Sequence, residues 1–392
     1  MNNPLKLSDL NSLFKKYRKK NLRFKYPLLE DAFSNKDLFE AIKVIMSGQL
    51  TMSKKTLEFE KKFAKKIKRK FAISVSNGTA AIQLAFESLN LKKGDEVILP
   101  AFTIISCILP IIRLGAKPIL VDCDPQTWNM DTEKTINLIT KKTKAIILVN
   151  IYGLCPDFAK IIKICKKKRI KIIEDSAESL GLKYKGKPCG SFGDISTFSF
   201  FANKHITTGE GGMVVTNDKK IYEKCLLLRN IYFNDKRRFK HFGLGWNYRL
   251  TNLQSSLGIA QLKQLTKFIK IKKKVGKYYF KKLSHLKSVY NPINKTKYCD
   301  NVYWVYGLVL KKNSQYNLEK IRKKLFKRGI ETRNFFWPLN KQPILKKMGY
   351  FKNQKFPVSE YISKHGFYIP SGLGLKKKDQ DYVIKIICEL LD

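Results

Sequence analysis

The run STFSFFANKHITTGEGGMVVT, residues 196–216, sets one lysine, Lys204, among small residues and glycines between two apolar, strand-like stretches. An exposed lysine amine titrates near ~10.4 and is almost wholly protonated at neutral pH. In a cramped, partly desolvated pocket beside another cation it gives up its proton more readily, and the neutral amine can form a Schiff base with an aldehyde. Lysines are common in this chain, and taken alone Lys204 reads as one more solvated side chain. Its block holds few other charges, however, and Gly209, Gly211 and Gly212 follow it, letting backbone pass close to a ligand.

An aldehyde cofactor with a phosphate tail needs three further things. The first is an anion seat. SVSNGTAAIQLAFESL passes from a short β-branched run through Ser76, Asn77, Gly78 and Thr79 into a helix whose Ile82, Ala85, Phe86 and Leu89 recur at i, i+3, i+4 and i+7. Free amides at a helix start, with a glycine and a hydroxyl beside them, bind phosphate; the same residues also suit an ordinary N-capped helix. The second is a carboxylate to keep a pyridine nitrogen protonated, so that the ring can take up electrons. IKIIEDSAES (170–179) is an apolar strand ending in Glu174 and Asp175, and ligands in open α/β sheets gather at the carboxyl ends of strands. A strand-end acid is also a common helix cap. The third is a flat or apolar group on each ring face, for which Ala177 and the segment PAFTIISC (100–107) are candidates.

In this order SNGTAA, PAFTIISC, IEDSAESLG, SFSFFANKHITTGEGG and GWNYRLTNLQSSLGIAQL resemble the sugar aminotransferases of the DegT/DnrJ/EryC1/StrS family, from about residue 25 to the C-terminus. The resemblance implies an α/β protein of the pyridoxal-phosphate-dependent transferase fold type I, aspartate aminotransferase-like, with pyridoxal 5'-phosphate as cofactor. It makes Lys204 the Schiff-base and catalytic lysine and Asp175 the partner of the pyridinium nitrogen. Gly78, Thr79 and Ser199 hold the phosphate, with Ile104, Ala177 and Glu178 around the ring. Asn247 reaches the cofactor phosphate of a neighbouring subunit, which implies a homodimer with shared active sites. Arg249, His205 and Asn340 are carried over as substrate contacts, and no metal is expected.

The chain departs from the family at several places. Glu178 stands where His or Gln is common near the cofactor's phenolic oxygen, and Ile104 where an aromatic often stacks. Asn340 and Asn150 each replace a histidine of the family pattern. The segments KYPLLEDAFSNKDLFEAIKVIMSGQLTMSKKTLEFE and EDSAESLGLKYKGK also resemble the sugar-nucleotide 3-dehydratases, which carry His in place of the Schiff-base lysine and ligate an iron–sulfur cluster. Retention of Lys204 favours transamination, and the eight cysteines show no CxxC spacing or tight cluster along the chain. The stretch 332–375 is similar to the tail of perosamine-synthase-like members. That likeness points to glutamate as amino donor and a nucleotide-linked 4-keto-6-deoxy sugar, GDP-4-keto-6-deoxymannose, as acceptor in surface polysaccharide (O-antigen, lipopolysaccharide) biosynthesis; another keto sugar is the alternative.

These residues need a scaffold. The runs VILPAF, KPILVDCD, KAIILVNIYG, IKIIEDS, DISTFSF and GGMVVT alternate with helical stretches, the pattern of an α/β sheet covered on both faces. At 392 residues the chain suffices for two cores. We read an appendage over 1–24, a large cofactor-binding α/β/α domain over 25–265 and a smaller C-terminal α+β domain over 266–392, with the lysine-rich helical stretch near 262–283 at the junction.

The formal net charge is +47, from 78 basic and 31 acidic residues. Nucleic-acid or anionic-membrane binding would use such a field. The lysines are nevertheless spread through ordinary helices without a basic tail or RNA-binding signature, so lysine-biased composition is the favoured reading over nucleic acid. No apolar run is long enough to span a membrane and the N-terminus lacks a signal-peptide core. Scattered cysteines suit a reducing compartment, so the cytoplasm is expected. A binding protein on the same fold would not need Lys204.

Overall fold

The computed structural model describes residues 24–28, 34–233, 239–312 and 315–392. The appendage read over 1–24 lies outside the described residues except for Phe24.

The strand-like runs form strands β1 (Phe71–Val75), β2 (Glu96–Pro100), β3 (Lys117–Val121), β4 (Thr143–Val149) and β5 (Lys171–Asp175), a short hairpin of β6 (Lys183–Tyr184) and β7 (Lys187–Pro188), then β8 (Ile195–Ser199) and β9 (Gly212–Thr216). All but the hairpin join one seven-stranded sheet in the order β1-β9-β8-β5-β4-β2-β3, in which β9 alone is antiparallel to its neighbours. Their apolar runs are continuous because both faces are covered. Alternate residues serve opposite cores: Ala145 and Ile147 pack with Leu99 and Val214, whereas Ile146 and Leu148 pack with Ile98 and Ile172. Register pairs Asp175 with Val149 on one side and Thr197 on the other, so β4 and β5 end at one level and β8 runs on two residues to Ser199.

The helix after β1 spans Gly78–Glu87 and is capped by Asn77, whose side chain accepts from the Ala80 amide. Leu89, read as part of its apolar stripe, lies beyond the helix end at Ser88. Gly78 is required by close approach, since a Cβ there would meet the Ser199 Cβ at 2.9 Å; one at Gly212 would meet the Asn77 carbonyl oxygen at 2.4 Å. The missing side chains let the helix start rest against the ends of β8 and β9.

A 32-residue helix, Asn252–Leu283, begins at a capping box between Thr251 and Gln254. It packs on the helices Asn35–Met46 and Lys54–Ile67 and, farther along, on Lys377–Leu391. The division read at residue 265 falls inside this helix, which runs on to the second sheet. That sheet holds β10 (Val289–Tyr290), β11 (Tyr306–Leu310), β12 (Arg333–Asn334) and β13 (Gly366–Ile369), antiparallel in the order β10-β11-β13-β12.

The cysteines, scattered in sequence, are partly gathered in space. Cys155 has both Cys189 and Cys299 within hydrogen-bonding reach in the core beneath β4 and β5, and all eight thiols are free.

Gly276 of the long helix faces the Tyr303 ring, where a Cβ would lie 2.3 Å from the nearest ring carbon. Helix propensity alone favours alanine there by ~1 kcal/mol, while overpacking costs about 1–3 kcal/mol. Gly276→Ala is expected to lower the urea midpoint; a raised midpoint would mean that the ring yields freely.

Candidate active site

The carboxyl ends of β1, β4, β5 and β8 open onto a cavity of about 640 Å³. Gly78, Thr79, Ile104, Asp175, Ala177, Glu178, Ser199 and Lys204 all line it.

The loop carrying Lys204 closes back on its own origin. Phe200 donates its amide to the Gly211 carbonyl at 2.8 Å, while its carbonyl accepts from the Thr208 amide (3.0 Å) and the Thr207 hydroxyl (3.1 Å). Gly209 takes a left-handed φ of +81° that favours glycine. The turn leaves the Lys204 side chain only 12% exposed, with Nζ 3.7 Å from Glu178 Oε1 and 3.9 Å from the centre of the Trp304 ring. Burial lowers the pKa of the amine, and the nearby carboxylates Glu178 and Asp175 oppose that shift. The neighbouring charges are therefore anions, not the cation considered from sequence; desolvation does the lowering.

Adjacent acids at the end of β5 take different roles. Asp175 faces the cavity, 3% exposed, and accepts from the Ala177 amide (3.0 Å), the Thr197 hydroxyl (3.3 Å) and the Cys107 thiol (3.5 Å). Burial raises its pKa despite those donors, so a cationic partner would be stabilising there. Glu174 turns the other way and accepts from the amides of Gly190 (2.6 Å) and Phe192 (3.0 Å) and from Asn150 Nδ2 (3.0 Å), fixing the loop before β8. Asn150 borders the cavity, and its Oδ1 is buried with no hydrogen-bond partner.

Glu178 accepts from the Tyr152 amide at 3.0 Å, and burial pushes its carboxyl up to about 7. Across the cavity, the amides of Gly78 and Thr79 open the helix and have no carbonyl four residues back. The Thr79 hydroxyl lies 2.8 Å from that of Ser106, and Ser199 Oγ would be 3.2 Å from a Cβ on Gly78. Helix amides and three hydroxyls thus converge at one end of the cavity, an arrangement suited to an anion. Asn77 caps the helix, as the N-cap reading of this segment expected. Ile104 is 44% exposed and borders the opening.

Four expected contacts are not on the wall. His205 points into the interior, 3% exposed, with Nε2 3.3 Å from the Val302 carbonyl; burial and nearby Lys272 push its pKa down to about 3. Asn340 is buried, donating to Glu360 Oε1 (2.8 Å) and the Gln354 carbonyl (3.2 Å). Arg249 donates to Asn230 Oδ1 at 2.7 Å, and Asn247 is exposed and bridges to Asn230 through its backbone. Reading His205 and Asn340 as substrate contacts is corrected here: each neighbours a cavity residue or run along the chain, but its side chain is turned into the core. In this single chain Asn247 and Arg249 also lie off the cavity wall.

Other lining residues escaped the sequence reading, among them Glu210, Tyr248, Trp304, Arg333, Phe336 and Tyr368. Trp304 donates its indole N–H to the Asn203 carbonyl at 2.8 Å, which locks the ring over Lys204. Beneath it the buried Lys272 Nζ meets the Trp304 carbonyl (3.0 Å), the Ser371 carbonyl (2.5 Å) and Ser371 Oγ (3.4 Å), and burial pulls its pKa down to about 7. Arg333 and Phe336 fall within the stretch 332–375 singled out above, which carried no signal for these two side chains.

Glu178 sets a pH dependence. Its carboxyl binds a proton more tightly folded, at about 7, than at the unfolded value near ~4.3. The stabilisation is fully present below the unfolded value and is lost as pH rises through about 7. Thermal unfolding of the cofactor-free chain from pH 5 to 8 should show this loss, and Glu178→Gln should flatten it. Parallel curves for the two proteins would contradict the assignment.

Residues 32–388 match the DegT/DnrJ/EryC1/StrS aminotransferase family. The chain is 40% identical over 332 residues to the GDP-perosamine synthase of Escherichia coli O157:H7, covering 85% of this chain and 89% of that protein. It is 36% identical over 349 residues to the GDP-perosamine synthase of Vibrio cholerae, covering 88% and 93%. Its fold is similar to that of the E. coli GDP-4-keto-6-deoxy-D-mannose-3-dehydratase with bound hydrated PLP, with a TM-score of 0.85, 28% identity and coverage of 93% and 99%. The chain, with its buried lysine opposite a strand-end carboxylate, belongs to the DegT/DnrJ/EryC1/StrS aminotransferase family.

Proposed function

We propose that this protein is a pyridoxal-phosphate-dependent aminotransferase that moves an amino group from glutamate to a GDP-linked 4-keto-6-deoxymannose, forming GDP-perosamine for surface polysaccharide synthesis. The observation that carries the reading is the desolvated Lys204 amine sharing one cavity with the buried Asp175 and with a glycine-led helix start. The residues suit the cofactor: Gly78 leaves a cradle that a Cβ would fill, and Asp175 is a buried carboxylate short of a cation. When bound, pyridoxal phosphate supplies an aldehyde for amine exchange and a protonated ring that accepts electrons from the carbon losing its proton.

The chain's own residues do the rest. Gly78, Thr79 and Ser199 hold the phosphate, and Asp175 keeps the ring nitrogen protonated. Lys204, once its amine is free, takes the proton from the donor's α-carbon and returns one to the sugar carbon in the second half of the exchange. Glu178, pushed up to about 7 by burial, lies 3.7 Å from the Lys204 amine and acts on it through charge. Ala177 and Ile104 flank the ring, and Trp304 excludes water from the lysine. The 3-dehydratase reading is disfavoured by Lys204, because those enzymes carry histidine there.

The reading includes a homodimer in which Asn247 reaches a second copy's cofactor phosphate, with Arg249 as a substrate contact. Support comes from the exposed Asn247 and the strongly exposed Phe242 (67%) and Leu244 (95%) beside it, a patch of the kind that associates. Among the described residues no helix is long and apolar enough to cross a membrane, and the reading places the enzyme in the cytoplasm with its sugar-nucleotide supply.

Purified protein with added cofactor should show a visible band near roughly 400–430 nm, bleached by glutamate and restored by the GDP-linked keto sugar. Lys204→Ala should lack the band and lose turnover by roughly 10³-fold or more. A spectrum indifferent to glutamate would sink the proposal.

A further inference from the structure

A second concavity, of about 830 Å³, lies apart from the catalytic cavity and shares none of its lining residues. Four separate segments build it: the end of the helix Lys54–Ile67, the β6–β7 hairpin, the middle of the long helix and the loop 295–300. Seven lysines line it, Lys183, Lys270, Lys273 and Lys297 among them, with Asp300 as the one carboxylate. Basic residues outnumber acidic ones 78 to 31 in the whole chain and seven to one here, and the fold brings those seven from four segments into one hollow. Among the described residues, none of the seven enters an ion pair. A neighbouring hollow shares Lys273, Lys295 and Asp300 and adds Lys277, extending the cationic furrow.

Unpaired ammonium groups brought together in a concavity repel one another and concentrate anions. Here they surround apolar ground, since Leu182, Leu265, Ile269 and the Tyr298 ring form part of the same lining. We propose that this cavity binds a nucleoside polyphosphate, its phosphates held by the lysines and its base laid on the surface of Ile269 and Tyr298. The volume lies in the range of small-molecule sites, and a triphosphate chain carries enough charge to neutralise several ammonium groups at once. The site goes beyond the proposed transamination and is independent of it.

The test is lysine acylation footprinting by mass spectrometry on the cofactor-loaded protein at constant ionic strength, without ligand, with GTP and with inorganic tripolyphosphate. GTP should protect Lys183, Lys270, Lys273 and Lys297 at least about fivefold more than the exposed Lys352 and Lys364. The double variant Lys270→Glu, Lys273→Glu should lose protection at Lys183 and Lys297, and the GTP isotherm assigned to this site should weaken by about tenfold or more. Its visible response to glutamate should stay unchanged. Equal protection by tripolyphosphate would overturn the base contact. Protection equal at remote lysines, or given only by an RNA oligomer, would assign the charge to a diffuse field or to nucleic acid. Lysines already unreactive without ligand would mean that a second copy covers the furrow. Each of these results would overturn the proposal.

Discussion

One amine and two carboxylates are buried together at the ends of parallel strands, and much of the surrounding structure exists to make that burial tolerable. A carboxylate removed from water costs several kcal/mol unless it is given donors. Asp175 receives an amide, a hydroxyl and a thiol from three different segments, and Glu178 receives the Tyr152 amide. What remains unbalanced is the useful part. Lys204 is driven toward its neutral form while Asp175 and Glu178 are driven toward protonation, so a small change in occupancy can move a proton among them. A cofactor with a cationic ring and an anionic tail complements such a site at both ends.

The geometry comes from backbone contact more than from side-chain interaction. Gly78 and Gly212 allow the helix start to press on β8 and β9, which brings the anion seat within one cavity of Lys204. The register of β4, β5 and β8 sets Val149, Asp175 and Thr197 side by side. The long helix adds the last wall: its Lys272 grips the Trp304 carbonyl, Trp304 bonds to the Asn203 carbonyl, and the indole face closes over Lys204. A buried ammonium ringed by three oxygens positions the cover of another buried amine.

Much of the large sheet was legible because it is built from short continuous apolar runs, and each run read as a strand contains one. The helix start at Gly78 and the acid at the end of β5 were legible for the same reason: a helix start and a strand terminus are local features. Asp175 was read as the acid at the site, but the sequence could not say that Glu174 would turn into the loop at Gly190 and Phe192, because its partners there lie 16 and 18 residues away. The misread contacts have a similar origin. His205 follows Lys204 directly, yet its ring enters the core beside Lys272; Asn340 donates instead to Glu360 and to the Gln354 carbonyl, 20 and 14 residues farther along the chain.

The sequence by itself determined the chemistry on offer: a lysine in a glycine-rich turn, a carboxylate at a strand end, an amide-rich helix start, and the family to which that ordered set belongs. Each motif is a short-range property, written within a few residues of the chain. Tertiary structure alone decided which of those groups meet and what they meet. Trp304, Arg333, Phe336 and Tyr368 reach the cavity from more than 90 residues beyond Lys204. Cys155 finds Cys189 and Cys299 across the core, and seven lysines from four segments share one hollow. Burial and long-range packing set proton affinity and proximity, and neither is a property of any single stretch of chain.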